Sequence, residues 1–165
     1  VKWQEEVQLS TGETIVIDRD VRHEGGGAAW PHGQGTIPRE FLIRFRYPHT
    51  TGPLIERRST KLTPATYAEL PLVLDIAADK SWYIYTHFWE KGCRVYLKYQ
   101  LVEGIWKEVA LAEDIEVHPS NLYLEAGWNG IQGLVRLDEK NRVLSWLYYT
   151  PDFKQVGPKR KVCGY

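Results

Sequence analysis

An all-β protein, built as an antiparallel β-sandwich or a strongly curved sheet with one short helix, is the fold this sequence predicts. A barrel is the next architecture in line. Two observations lead there. Short runs with a residue period of 2 break at glycine-containing turns and then resume. Trp3 to Leu9 alternates apolar and polar except at Glu5, Ser10-Thr11-Gly12-Glu13 interrupts it, and Thr14 to Ile17 starts again. Later, Val95 to Val102 runs into Glu103-Gly104 and continues as Ile105 to Val109. Alternation of this kind puts successive side chains on opposite faces, and the glycine turns join antiparallel strands as hairpins. The second observation is compositional: seven Trp, ten Tyr and four Phe, with no Met. Aromatic side chains suit a pleated, half-buried surface, so core building accounts for most of them.

The elements follow in order. Strands are predicted over Trp3 to Leu9 and Thr14 to Val21. From His23 to Pro38 lies a glycine-rich segment containing Gly25-Gly26-Gly27 and Gly33-Gln34-Gly35. It exceeds the usual connection of about 2–6 residues, which marks it as mobile or functional. Arg39 to Tyr47 places Phe41, Ile43, Phe45 and Tyr47 on one face, with Leu42 the exception on the other. Leu54 to Thr60 reads as a polar strand, with Arg57 and Arg58 on an edge or a solvated face. Lys61 to Pro71 reads as an irregular connection, and Leu72 to Ile76 as a central strand. Trp82 to Phe88 pairs with Arg94 to Val102 through Lys91-Gly92, and Ile105 to Leu111 completes the next hairpin. Ser120 to Ala126 is the candidate helix, with Ser120 as N-cap and Gly127 beyond its end. Leu134 to Leu137 and Val143 to Tyr149 read as final strands, and no period is visible from Pro151 onward. No internal repeat or linker divides the 165 residues, so residues 1–165 are expected to form a single domain.

Charge narrows the partners. Lys and Arg number 21, as do Asp and Glu, and this neutrality argues against nucleic acid, which selects a basic excess. Lys159-Arg160-Lys161 is one candidate for a local basic patch, and it reads as a solvated tail. No stretch reaches the ~20 apolar residues of a membrane span. Cys93 and Cys163 suit one disulfide in an oxidising compartment or two buried thiols. The first residue is Val, which fits a removed leader, hence a periplasmic or secreted protein, and fits equally a portion of a longer product.

Several local patterns together resemble a family of small bacterial proteins to which no function is assigned. They are Trp3-x-Glu5-Glu6-Val7-x-Leu9-x-x-Gly12, Leu72-Val73-Leu74-Asp75, Cys93-x-x-Tyr96 followed by Gly104-x-Trp106, and Asn121-Leu122. The resemblance spans residues 3 to about 127 and implies a bacterial source and one domain. It carries no activity and no catalytic residue.

Motif chemistry is sparse. His23, His32, His49, His87 and His118 lack the close spacing of a zinc site, and neither a phosphate loop nor a dinucleotide fingerprint is present. No cofactor is therefore expected. Ser81, Ser120 and Ser145 lack a nucleophile elbow, and Cys93 and Cys163 have no neighbouring base. The carboxylate pairs Glu5-Glu6, Glu113-Asp114 and Asp138-Glu139 read as solvated surface. What remains is recognition. Trp30, with His23 and His32 flanking the glycine-rich loop, and Trp128 between Gly127 and Asn129 are the binding candidates. Trp30 folding back over the sheet edge is the competing account. The expected function is non-catalytic protein–protein binding at the bacterial envelope or exterior, as an inhibitor or immunity-type partner. The alternatives are a small hydrolase using His23, His32, Asp75 and His87, and a glycan-binding module using exposed Trp.

Overall fold

The computed structural model describes residues 1–25, 36–60, 68–123, 133–140 and 154–164. The predicted all-β class holds. One sheet contains β1 (Lys2–Gln8), β2 (Thr14–Gly25), β3 (Thr36–Arg46), β4 (Leu54–Thr60) and β10 (Leu134–Val135), in the order β10-β1-β2-β3-β4. The second holds β5 (Leu70–Ile76), β6 (Trp82–Glu90), β7 (Cys93–Val102) and β12 (Lys161–Cys163), in the order β12-β7-β6-β5, while β8 (Ile105–Val109) also pairs with β7. A small ladder joins β9 (His118–Pro119) to β11 (Gln155–Val156). Among the described residues the sheets remain open, so the barrel alternative is not realised there.

The hairpins arise where glycine permits them. Gly12 sits at φ 87° and donates its N–H to the Leu9 carbonyl. At Lys91-Gly92 and Glu103-Gly104 both turn residues have positive φ, the handedness that matches strand twist. Between the sheets, Val7, Ile17, Ile43 and Phe45 meet Leu74, Ile76, Trp82 and Ile84 in one buried cluster. Trp82 stands edge-on to Phe45 at 4.8 Å and to Tyr47 at 5.1 Å. Each fully buried aliphatic side chain there stabilises by ~1.5–3 kcal/mol. A second cluster, with Trp3, Val21, Phe41 and Tyr123, fills the other end of this sheet pair. Between the two lies an ion cluster. Glu5 faces inward with Trp3 and Val7, and binds both Arg19 and Lys140. A third cluster, including Val73, Tyr85, Tyr96 and Val156, lies on the opposite face of the second sheet.

Several expectations are corrected. Glu5 is wholly buried, because its period-2 position belongs to the core face, and Glu6 accepts the Leu137 N–H. Arg57 is buried too: it alternates with Ile55 and Ser59 on the inner face of β4, while Arg58 faces out. Among the described strands, the run Leu72 to Ile76 is an edge strand by hydrogen bonding. Pro71 and the bulge between Pro71 and Val73 are features that sheets tolerate at an edge. The described part of the Ser120 to Ala126 helix, residues 120–123, is non-helical. A helical turn instead occupies residues 137–140, where strand had been expected at Leu137. The segment beyond Pro151 contributes β11 and β12. Lys159, Arg160 and Lys161 are paired with Asp114, Glu113 and Glu90 respectively. The predicted strand Val143 to Tyr149 lies outside the described residues.

Asn121 explains the non-helical path. Its side-chain oxygen accepts the Leu74 N–H at 2.9 Å, and its amide nitrogen donates to the Leu74 carbonyl at 2.8 Å and the Gln8 carbonyl at 3.1 Å. One side-chain amide thereby pairs the open edge of β5 as a neighbouring strand would. Asn121→Ala is expected to cost about 2 kcal/mol in urea unfolding, since two strand groups lose their partner. Asn121→Asp should cost more, because a carboxylate would face two carbonyls. If Asp is tolerated better than Ala, this role for the amide is wrong.

Candidate functional site

Among the described residues, the sequence-selected groups His23, Asp75 and His87 do not converge. Trp30, His32 and Trp128 lie outside the described residues. His23 is exposed on β2, beside a register shift between Arg22 and His23. Asp75 stands across from Tyr83, whereas His87 stands across from Leu70. Those positions on β6 are roughly 13 Å apart along the strand. Asp75 is also structurally committed. Its Oδ1 accepts from the Ser10 backbone and hydroxyl and from the Ile76 N–H, and its Oδ2 from Tyr83 at 3.3 Å. A cavity of about 360 Å³ beside it is lined by Ser10, Asp75, His118, Ser120, Asn121 and Lys140, among others. Four of these already serve the fold: Ser10, Asp75, Asn121 and Lys140.

His87 is a buried histidine rather than a base at a surface cleft. Burial first, and then the Arg94 charge, push its imidazole down to about 3. A folded-state pKa below the unfolded value of ~6.5 favours the neutral ring. The stability it contributes is complete above pH ~6.5 and is lost as pH falls from there toward 3, by up to ~1.4 kcal/mol per pH unit. Urea titrations should show a shallower acid limb for His87→Gln. An unchanged slope between pH 6 and pH 4 would rule out His87 as the source.

The groups that do converge lie where β4 approaches β7 and β8. Glu69 is the hub. Its Oε1 accepts the Tyr99 hydroxyl at 2.7 Å, and its Oε2 accepts Arg57 Nη2 at 3.2 Å and Thr86 Oγ1 at 3.0 Å. The Arg57 guanidinium lies over the Tyr99 ring, 4.4 Å from its centroid. Burial lowers the Arg57 pKa against the opposing pull of Glu69, and burial followed by the Glu69 bond raises that of Tyr99. Nearby, Trp106 Nε1 donates to the Glu56 carbonyl at 2.9 Å and so ties β8 to β4. Arg57, Glu69, Tyr99 and Trp106 line a cleft of about 230 Å³ with Arg58, Ser59 and Thr60.

Sequence reading missed this cleft. The inward parity of Arg57 was visible in Ile55-Arg57-Ser59, but its approach to Tyr99 and Trp106 depends on how the sheets stack. Among the described residues no group of three His, Cys, Asp or Glu is placed to hold a metal, and no described helix is long and apolar enough to cross a membrane. No protein-family model, curated protein or solved structure matches the chain.

Proposed function

We propose that the protein is a non-catalytic binding protein of the bacterial envelope or exterior, acting by protein–protein contact as an inhibitor or immunity-type partner. The cleft beside β4 carries this reading. It combines Trp106, Tyr99 and Arg57, the three residue types most enriched among interface hot spots, along the last strand of a sheet. The one carboxylate of the hydrolase alternative, Asp75, supports it from the other side, together with two further carboxylates. Asp75, Glu69 and Glu5 each accept several donors from the fold itself. The bond between Cys93 and Cys163 favours an oxidising compartment.

The test is co-purification from the native host with mild cross-linking, comparing wild type with Trp106→Ala. A discrete partner retained by wild type and depleted by the variant is the expected result. A strictly monomeric wild-type protein that retains no partner would count against the proposal.

A further inference from the structure

Resting on that reading, we infer that the partner presents an extended, carboxylate-bearing peptide that adds as a strand to β4, its acidic side chain meeting Arg57. The edge is oriented for it. Trp106 reaches the Glu56 carbonyl from outside the ladder, so the Glu56 backbone points away from β3. In an antiparallel pair this direction alternates with a period of 2, which sends the backbone groups of Arg58 and Thr60 to the same outer edge. β4 is the last strand of its sheet in the described order. The edge of β5, by contrast, is already paired by Asn121.

The cleft also selects the side chain. Both Glu69 oxygens are engaged, by three donors in all. Arg57 gives Glu69 one bond from a group that carries five N–H donors, and it lines the cleft. A planar carboxylate is the anion that a guanidinium binds best, and a second one would offset the desolvation of Arg57. Tyr99 backs the guanidinium and Trp106 supplies an apolar wall. A second copy of β4 fits less well, because an antiparallel pairing centred on Arg57 or on Arg58 sets that arginine against its own copy. Strand addition draws affinity from the main chain and specificity from alternate side-chain pockets, which is the division seen here.

The experiment selects a random dodecapeptide display library against the intact, oxidised protein and measures the strongest binder as a synthetic peptide. The expected binder contains an acidic residue, and its Glu→Gln or Asp→Asn form binds at least tenfold more weakly. Arg58→Pro removes one outward N–H while leaving the β3 ladder intact, and should weaken binding at least tenfold relative to Arg58→Ala, which loses the same side chain and its pairing with Glu40, at a matched melting temperature. Arg57→Gln should remove the preference between the acidic and amide peptides. No selected binder, or binders indifferent to both Arg58→Pro and the acid, would overturn the inference. A concentration-dependent dimer abolished by Arg58→Pro would overturn it in favour of a second copy. If Arg58→Pro still retains the native-host partner, protein contact stands and strand addition falls. If wild type retains none, the underlying reading falls.

Discussion

Replacing Glu5 with alanine is expected to cost about 3–5 kcal/mol, because it leaves Arg19 and Lys140 buried without their shared carboxylate. Glu5 Oε2 accepts Lys140 Nζ at 2.8 Å and the Tyr123 N–H at 2.8 Å, while Oε1 accepts Arg19. All three side chains are almost wholly removed from water, so solvent cannot replace the missing anion. The loss is bounded by Lys140 itself. Burial already pushes its ammonium below the usual range against the pull of Glu5, and without Glu5 it sheds its proton more readily. Lys140 also donates to the Glu6 and Asn121 carbonyls, so the cluster ties β1 to Asn121 and to the helical turn at residues 137–140. The double variant Glu5→Leu/Lys140→Met should recover part of the loss, since apolar replacement of a buried pair is often near neutral. Urea unfolding of the three proteins checks both statements. A Glu5→Ala cost below 1 kcal/mol would mean that water reaches the cluster.

Reduction of the bond between Cys93 and Cys163 is expected to lower stability by roughly 4 kcal/mol. The two residues pair across β7 and β12 and are separated by 70 positions, and a loop of that length loses much entropy on closure. A loss of this size corresponds to roughly 10–15 °C in melting temperature for a chain of this length. Apart from the bridge, β12 is held mainly by its short ladder on β7 among the described residues. It has three residues, and the contacts of Lys159, Arg160 and Lys161 with acidic groups are largely exposed, a setting where solvent and salt screen ion pairs and leave them contributing little. Thermal melts with and without a phosphine reductant, alongside Cys93→Ser/Cys163→Ser, give the measurement. A shift under 3 °C would show that the bridge pins only the terminal strand and not the domain.

Period and turn chemistry act over a few residues, so the sequence alone determined the all-β class, the strand Leu54 to Thr60, and the hairpins at Gly12, Lys91-Gly92 and Glu103-Gly104. It also brought Cys93 and Cys163 forward as a pair without deciding whether they bond. Only the tertiary structure decided what each inward polar group meets. Glu5 breaks the apolar alternation of β1, and nothing local distinguishes a solvated exception from a buried one. Arg19 and Lys140, distant in the chain, make it the latter. Ser120 carried a helix-cap signal, yet the amide of Asn121 is used on the edge of β5, a demand set 47 positions away. Arg57 looked like a surface charge until Tyr99 and Glu69 supplied a ring and a carboxylate from other elements. Backbone pleat and glycine dihedrals are properties of neighbours in sequence. The fate of a charge depends on which groups replace its water, and that is fixed only when the sheets stack.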